Sequence, residues 1–151
     1  MNRKGRIAAA ICVVGAITAT TAPSAEAAAP EEFTITEDLN FDTGVFEFEA
    51  TGPLCESGTF ADEPRVFAGG RNGRINIVID TVYTCDDGSG TFFAQKHVHI
   101  LFDEDSTTST GPIQLQGGTG DYTGLRGHGF NTGVTEGGEG TGTITGYIVS
   151  P

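Results

Sequence analysis

Tryptophan is absent from this sequence, and basic residues are few: 8 Lys and Arg stand against 20 Asp and Glu, a formal net charge of −12. That acid excess argues against nucleic acid or an anionic membrane as a partner, since both repel a negative surface. It favours a solvated, soluble surface. Cysteine is scarce, at three residues, and no Cys-x-x-Cys occurs, which disfavours zinc. No segment carries a sustained helical period of apolar residues. There is no Gly-x-Ser-x-Gly, no P-loop, no His-Glu-x-x-His and no Asn-x-Ser/Thr acceptor. The oxygen-rich runs Asp86-Asp87 and Asp103-Glu104-Asp105 do not match an EF-hand loop and read as solvated acidic turns. No cofactor is called for.

What is present begins with an export pattern. Arg3, Lys4 and Arg6 form a basic start, Ile7 to Ala19 an apolar run too short for a comfortable membrane span, and Ala25-Glu26-Ala27 a small-x-small cleavage site. Residues 1–27 are therefore expected to be a signal peptide, and residues 28–151 a single secreted domain. Cleavage would remove three basic residues and one acid, leaving five against nineteen and a net charge of −14. It would also remove Cys12. The remaining pair, Cys55 and Cys85, reads as a disulfide in an oxidising compartment. No membrane partner is expected after cleavage, and the oligomeric state is not read from the sequence.

The body of the chain alternates. Phe33 to Glu37 and Val45 to Glu49 have the period of half-buried strands, with Phe46 and Phe48 on one face and Glu47 and Glu49 on the other. Ser57 to Asp62 and Arg65 to Ala68 read as short strands broken at Glu63-Pro64, and Asn72-Gly73 marks a hairpin turn. Arg74 to Cys85 and Thr91 to Phe102 form a long central hairpin. In its second strand Phe92, Ala94, Val98, Ile100 and Phe102 share one face, with Lys96 as the exception. Asp103 to Thr110 reads as an acidic loop, and Thr143 to Val149 as the last strand. About eight strands at short spacing, with Gly, Pro and Asn turns, predict a sandwich or a closed barrel.

Gly117 to Phe130, read as Gly-Gly-Thr-Gly-Asp-Tyr-Thr-Gly-Leu-Arg-Gly-His-Gly-Phe, favours the barrel. Tyr122 and Leu125 have opposite parity, so a bulge at Gly124 is expected to turn both to one face and bend the strand. Bent strands are what closure requires. The run Gly117 to Gly127 resembles the glycine-rich strand motif of the dirigent and allene oxide cyclase-like barrel superfamily. There the pattern is Gly-Gly-Thr-Gly, one residue, an aromatic, then Ala-Arg-Gly. Here the aromatic is Tyr122, the pair is Arg126-Gly127, and Leu125 replaces the alanine. The resemblance implies an all-β fold, a single antiparallel barrel of about eight strands with a central apolar cavity. Dirigent-type barrels are thought to use acidic and arginine side chains on a phenolic intermediate, which implies Asp121 and Arg126 as the catalytic candidates.

The expected function is binding of a small apolar or aromatic molecule in the barrel, with shape alone able to guide a cyclisation or coupling. Phe92, Val98, Ile100, Phe102 and Tyr122 are the expected cavity walls. The alternatives are a cyclase or isomerase using Asp121, Arg126 or a histidine, and a non-catalytic extracellular interaction protein with a filled core. No metal site is assigned. The one alternative is His97 and His99, two imidazoles on one strand face, with His128 as third ligand.

Overall fold

A computed structural model describes residues 29–71 and 74–150 of the chain. The expected signal segment and the Asn72-Gly73 turn lie outside the described residues. Among the described residues no helix is long and apolar enough to cross a membrane.

Eight strands close into one antiparallel barrel. They are β1 (Glu31–Asn40), β2 (Val45–Thr51), β3 (Ser57–Arg71), β4 (Arg74–Cys85), β5 (Thr91–Phe102), β6 (Ser106–Gly118), β7 (Arg126–Glu136) and β8 (Glu139–Ser150). Each strand pairs with its sequence neighbours, and β1 closes the ring on β8 through Glu31↔Ile148 to Asn40↔Glu139. Closure gives every strand two neighbours, although β2 meets β3 only through Glu47↔Thr59 to Glu49↔Ser57, and beyond Thr59 the pairing of β3 is with β4. Inward and outward side chains alternate along the strands, as in the burial of β1, β5 and β8. The inward set is Phe33, Ile35 and Glu37 on β1, Phe48 and Ala50 on β2, Ile77, Thr81 and Tyr83 on β4, and Phe92, Ala94, Lys96 and Val98 on β5.

Three strands depart from the sequence reading. β3 runs unbroken through Glu63-Pro64, and a register shift between Pro64 and Val66 absorbs the proline. Proline lacks an N–H, so a bulge is a place where a strand can keep it. β6 begins at Ser106, leaving only residues 103–105 as connection, because Thr107 to Thr110 pair with both neighbours. Thr and Ser fit a pleated surface. Gly117 to Phe130 is not one strand. It is the end of β6, a 3₁₀ turn at Gly120–Tyr122, and the start of β7. Gly124 has φ +84° in the turn, and Tyr122 and Leu125 are both buried. The two large residues do share the interior, but a turn with left-handed glycine puts them there, not a bulge.

The two ends of the barrel differ. At the end holding the 3₁₀ turn the interior is filled with aromatic rings. Tyr83 stacks on Phe92 at 4.6 Å between centroids, Phe48 meets Tyr83 edge-on at 5.1 Å, and Tyr122 covers Phe92 at 5.3 Å. Such pairs add about 0.5–1.5 kcal/mol each beyond their burial. Cys55, in the connection from β2 to β3, is disulfide-bonded to Cys85 at the end of β4, with Cα atoms 6.0 Å apart. A sequence separation of 30 residues makes this worth about 3.7 kcal/mol in the chain-entropy model. The bridge holds Leu54 and Cys55 over the rings as a lid on the closed end.

Candidate functional site

The other half of the barrel is underfilled, and the cause is written in β7 and β8. The inward positions of β7 are Gly127, Gly129, Asn131, Gly133 and Thr135; those of β8 are Gly140, Gly142, Ile144, Gly146 and Ile148. Gly133 faces Gly142 across the ladder in the open half, whereas Gly129 and Gly146 pair beside Ile113 and Phe33 toward the closed end. That wall contributes little side-chain volume, so the opposite wall is not met. A cavity of about 340 Å³ results. Leu39, Phe46, Ile77, Ile79, Val98 and Ile100 form its apolar sides. It lies toward the end carrying the hairpins after β1, β5 and β7. The wider depression of about 640 Å³ beside Thr34 and Glu49 is an open groove on the barrel's outside.

The floor of the cavity is charged. Lys96 donates to Glu37 Oε1 at 2.5 Å and lies 3.4 Å from Asp62 Oδ1. The Tyr83 hydroxyl donates to the same Glu37 Oε1. Thr81 Oγ1 donates to Asp62 Oδ1 at 2.5 Å. Lys96 and Glu37 are almost fully buried, at 3% and 4% exposure. The Lys96 ammonium also lies 5.1 Å from the Phe60 ring centre and 5.6 Å from that of Tyr83. Burial pushes the Tyr83 phenol well above its ordinary value near 10, and the Glu37 carboxylate, their hydrogen bond and Asp62 push it the same way. The phenol is thus held as a donor. Asn131, 5% exposed, completes the lining from β7.

Taking ions out of water costs several kcal/mol each, which attraction repays only with good geometry and added hydrogen bonds. Here the aromatic faces, Tyr83 and Thr81 supply those additions. The arrangement can hold a polar group of a ligand by charge while the walls take an apolar body.

The residues singled out from sequence divide. Val98 and Ile100 line the cavity. Phe92 and Tyr122 are buried in the aromatic plug of the closed end, so they support the fold and are not cavity walls. Phe102 has the inward parity but ends its strand beyond the cavity, 54% exposed. Asp121 and Arg126 are exposed at the closed end, outside the cavity. Asp121 sits in the 3₁₀ turn and Arg126 starts β7, so the turn that buries Tyr122 and Leu125 leaves both of them in solvent. His97, His99 and His128 face outward. His97 Nε2 contacts Gln95 Oε1 at 3.1 Å, His99 contacts Asn76, and His128 lies against Tyr147. Among the described residues no three His, Cys, Asp or Glu gather as a metal site.

Glu37, Asp62, Tyr83 and Asn131 are not among the residues that the sequence motifs single out. The available signal was parity. Glu37 shares a face with Phe33 and Ile35, Asp62 with Phe60, and Lys96 with Phe92 and Val98. Three charges on the apolar face of three strands point to one buried cluster.

Fold and site together define a small closed antiparallel β-barrel with a disulfide-stapled, ring-filled end and an open end holding a cavity over a buried ion cluster. The chain matches no family model, no curated protein and no solved structure.

Proposed function

We propose that this chain is an exported binding barrel that takes a small molecule with an apolar or aromatic body into its open half. The single observation that carries the reading is the pairing of apolar walls with the buried Glu37–Lys96–Asp62 cluster at the base of a 340 Å³ cavity. Apolar side chains filling that space would be as stable or more stable than buried ions. Departures of this kind concentrate at functional sites. The same cavity argues against an interaction protein with a filled core. Guidance of a cyclisation or coupling by shape belongs to this reading, because it needs few catalytic groups. Membership of the dirigent and allene oxide cyclase-like barrels is part of the proposal. It is supported by the Gly117 to Gly127 motif and by the eight-stranded antiparallel closure. Export is supported by the charge and hydropathy pattern of residues 1–27 and by the Cys55–Cys85 bridge.

The test is fluorescence of the neutral apolar dye N-phenyl-1-naphthylamine with protein recovered from culture medium. Its intensity should rise on binding, and Ile100→Trp, which fills the cavity from a partly exposed wall position, should abolish the rise. Circular dichroism melting confirms that the variant folds. A folded Ile100→Trp that enhances the dye as the parent does would sink the cavity reading. Protein that keeps Met1 and stays with the membrane would sink export.

A further inference from the structure

The floor of the cavity is asymmetric in charge and in hydrogen bonding. Two carboxylates, Glu37 and Asp62, face one ammonium, Lys96. Both donors that reach Glu37 converge on Oε1. Among the described residues no hydrogen bond uses Glu37 Oε2 or the side chain of Asn131, although both residues are more than nine-tenths buried. These two groups meet at one place. A Cβ added to Gly142 would sit 3.0 Å from Glu37 Oε2 and 3.6 Å from Asn131 Oδ1. Two oxygen acceptors therefore converge at one point beside Gly142, which has no side chain to cover them. Lys96 lies on the other side of Glu37, against Asp62, Phe60 and Tyr83, so it does not occupy that point.

The approach to the cavity carries the same sign. The hairpins at the open end present Asp42, Asp103, Glu104, Asp105, Glu136 and Glu139, all exposed. By sequence, the β3–β4 tip offers two arginines, Arg71 and Arg74, against them. A mouth lined by one sign of charge raises the local concentration of the opposite ion.

We propose that the cavity takes a small hydrophobic primary amine, aromatic or alkyl, whose ammonium is held between Glu37 Oε2 and Asn131 Oδ1 beside Gly142. The proposal rests on the reading of the open half as a binding cavity. An ammonium has three donors and no acceptor, which suits the two acceptor oxygens. Its charge balances the excess carboxylate at the floor, and its bonds to a carboxylate are of the stronger, charge-assisted kind. An alcohol of the same body meets the oxygens with one weaker donor. A carboxylic acid anion meets them with none and is repelled at the mouth.

Calorimetric titration of the exported protein with 2-phenylethylamine, 2-phenylethanol and 3-phenylpropanoate tests this. The amine should bind at least about tenfold more tightly than the alcohol, the difference that 1.4 kcal/mol produces. The anion should give no heat. Added salt should weaken the amine and leave the alcohol unchanged. Gly142→Ala adds a methyl group beside both oxygens, where it crowds the approach of an ammonium, and keeps every charge. It should remove the amine's preference while binding of N-phenyl-1-naphthylamine persists. Should that variant fail to fold, Asn131→Leu removes one of the two oxygens and should reduce the same preference. Equal binding of amine and alcohol, or a preference that survives in whichever of these variants folds, overturns the amine assignment and leaves the cavity reading standing. Dye binding with no binding of the amine overturns it as well. Loss of dye and all three probes together overturns both.

Discussion

Replacement of Lys96 by Met removes the ammonium from the floor and keeps a side chain of similar length. Glu37 then retains its bond from Tyr83 but faces Asp62 with no cation between them. Removing one partner of a buried pair typically costs about 3–5 kcal/mol, because the other charge is left uncompensated. Loss of the ammonium's contact with the Phe60 and Tyr83 rings acts in the same direction. Domains of this size have about 5–15 kcal/mol in all, so the variant should lie near the edge of folding. Urea unfolding at pH 7 is the assay, with the midpoint falling and the slope unchanged. The triple variant Glu37→Leu/Tyr83→Phe/Lys96→Met supplies the control. It removes the Glu37–Lys96 pair and also the hydroxyl that would lose its acceptor, while Asp62, whose side chain is 18% exposed, keeps its bond from Thr81. Apolar replacement of a buried ionic set is often neutral or stabilising. The triple variant should therefore recover most of what the single one loses. A Lys96→Met loss under about 1 kcal/mol, the size of an exposed pair, would show that water screens the floor. A triple variant no better than the single would show that the cluster holds the barrel together and is not a cost it carries.

Two further outcomes follow from the closed end and its link to the floor. Tyr83 keeps its proton above pH 10 in the folded state, while in the unfolded chain it releases it near 10. The folded state then binds more protons, so stability is complete below pH 10 and falls as pH rises beyond it. Absorbance at 295 nm should show a tyrosine step that coincides with alkaline unfolding, and Tyr83→Phe should remove that step; the same absorbance profile in the folded parent and in Tyr83→Phe would contradict the buried donor. Gly124→Val forces a β-branched residue to φ +84° and should cost about 1–3 kcal/mol in urea unfolding, whereas a neutral result would mean the turn that buries Tyr122 and Leu125 is not needed.

Alternation made most of the barrel legible, because a strand with one wet face writes its orientation at every second residue. Val98 and Ile100 were placed on the cavity side for that reason. Parity fails where the strand ends, as at Phe102, since it does not say where the cavity stops. It fails also at Gly120 to Leu125, where a 3₁₀ turn and a left-handed glycine reset the phase. The site was harder to read. Lys96 stood out as an ion on an apolar face, but its partner Glu37 is 59 residues away and Asp62 is 34 away. Only closure of the ring puts β1, β3 and β5 around one space. The glycines of β7 and β8 carry a further signal, because their inward parity means that one wall has few side chains.

The two halves of the barrel are coupled through Tyr83. Its ring belongs to the stack with Phe92 and Phe48, and its hydroxyl belongs to the floor of the cavity. A ring locked between aromatic neighbours cannot follow a shifting acceptor, so the plug fixes where Glu37 Oε1 must lie. With Oε1 fixed and Lys96 drawn to it, Oε2 is turned toward Gly142 and Asn131. The orientation of Glu37 Oε2 is thus set from the closed end, by rings that lie outside the cavity. The glycine wall and the ion cluster each remove stability from the open half. The stapled, ring-filled half supplies it, and this division lets one small barrel keep a preorganised polar group at the bottom of an apolar cavity.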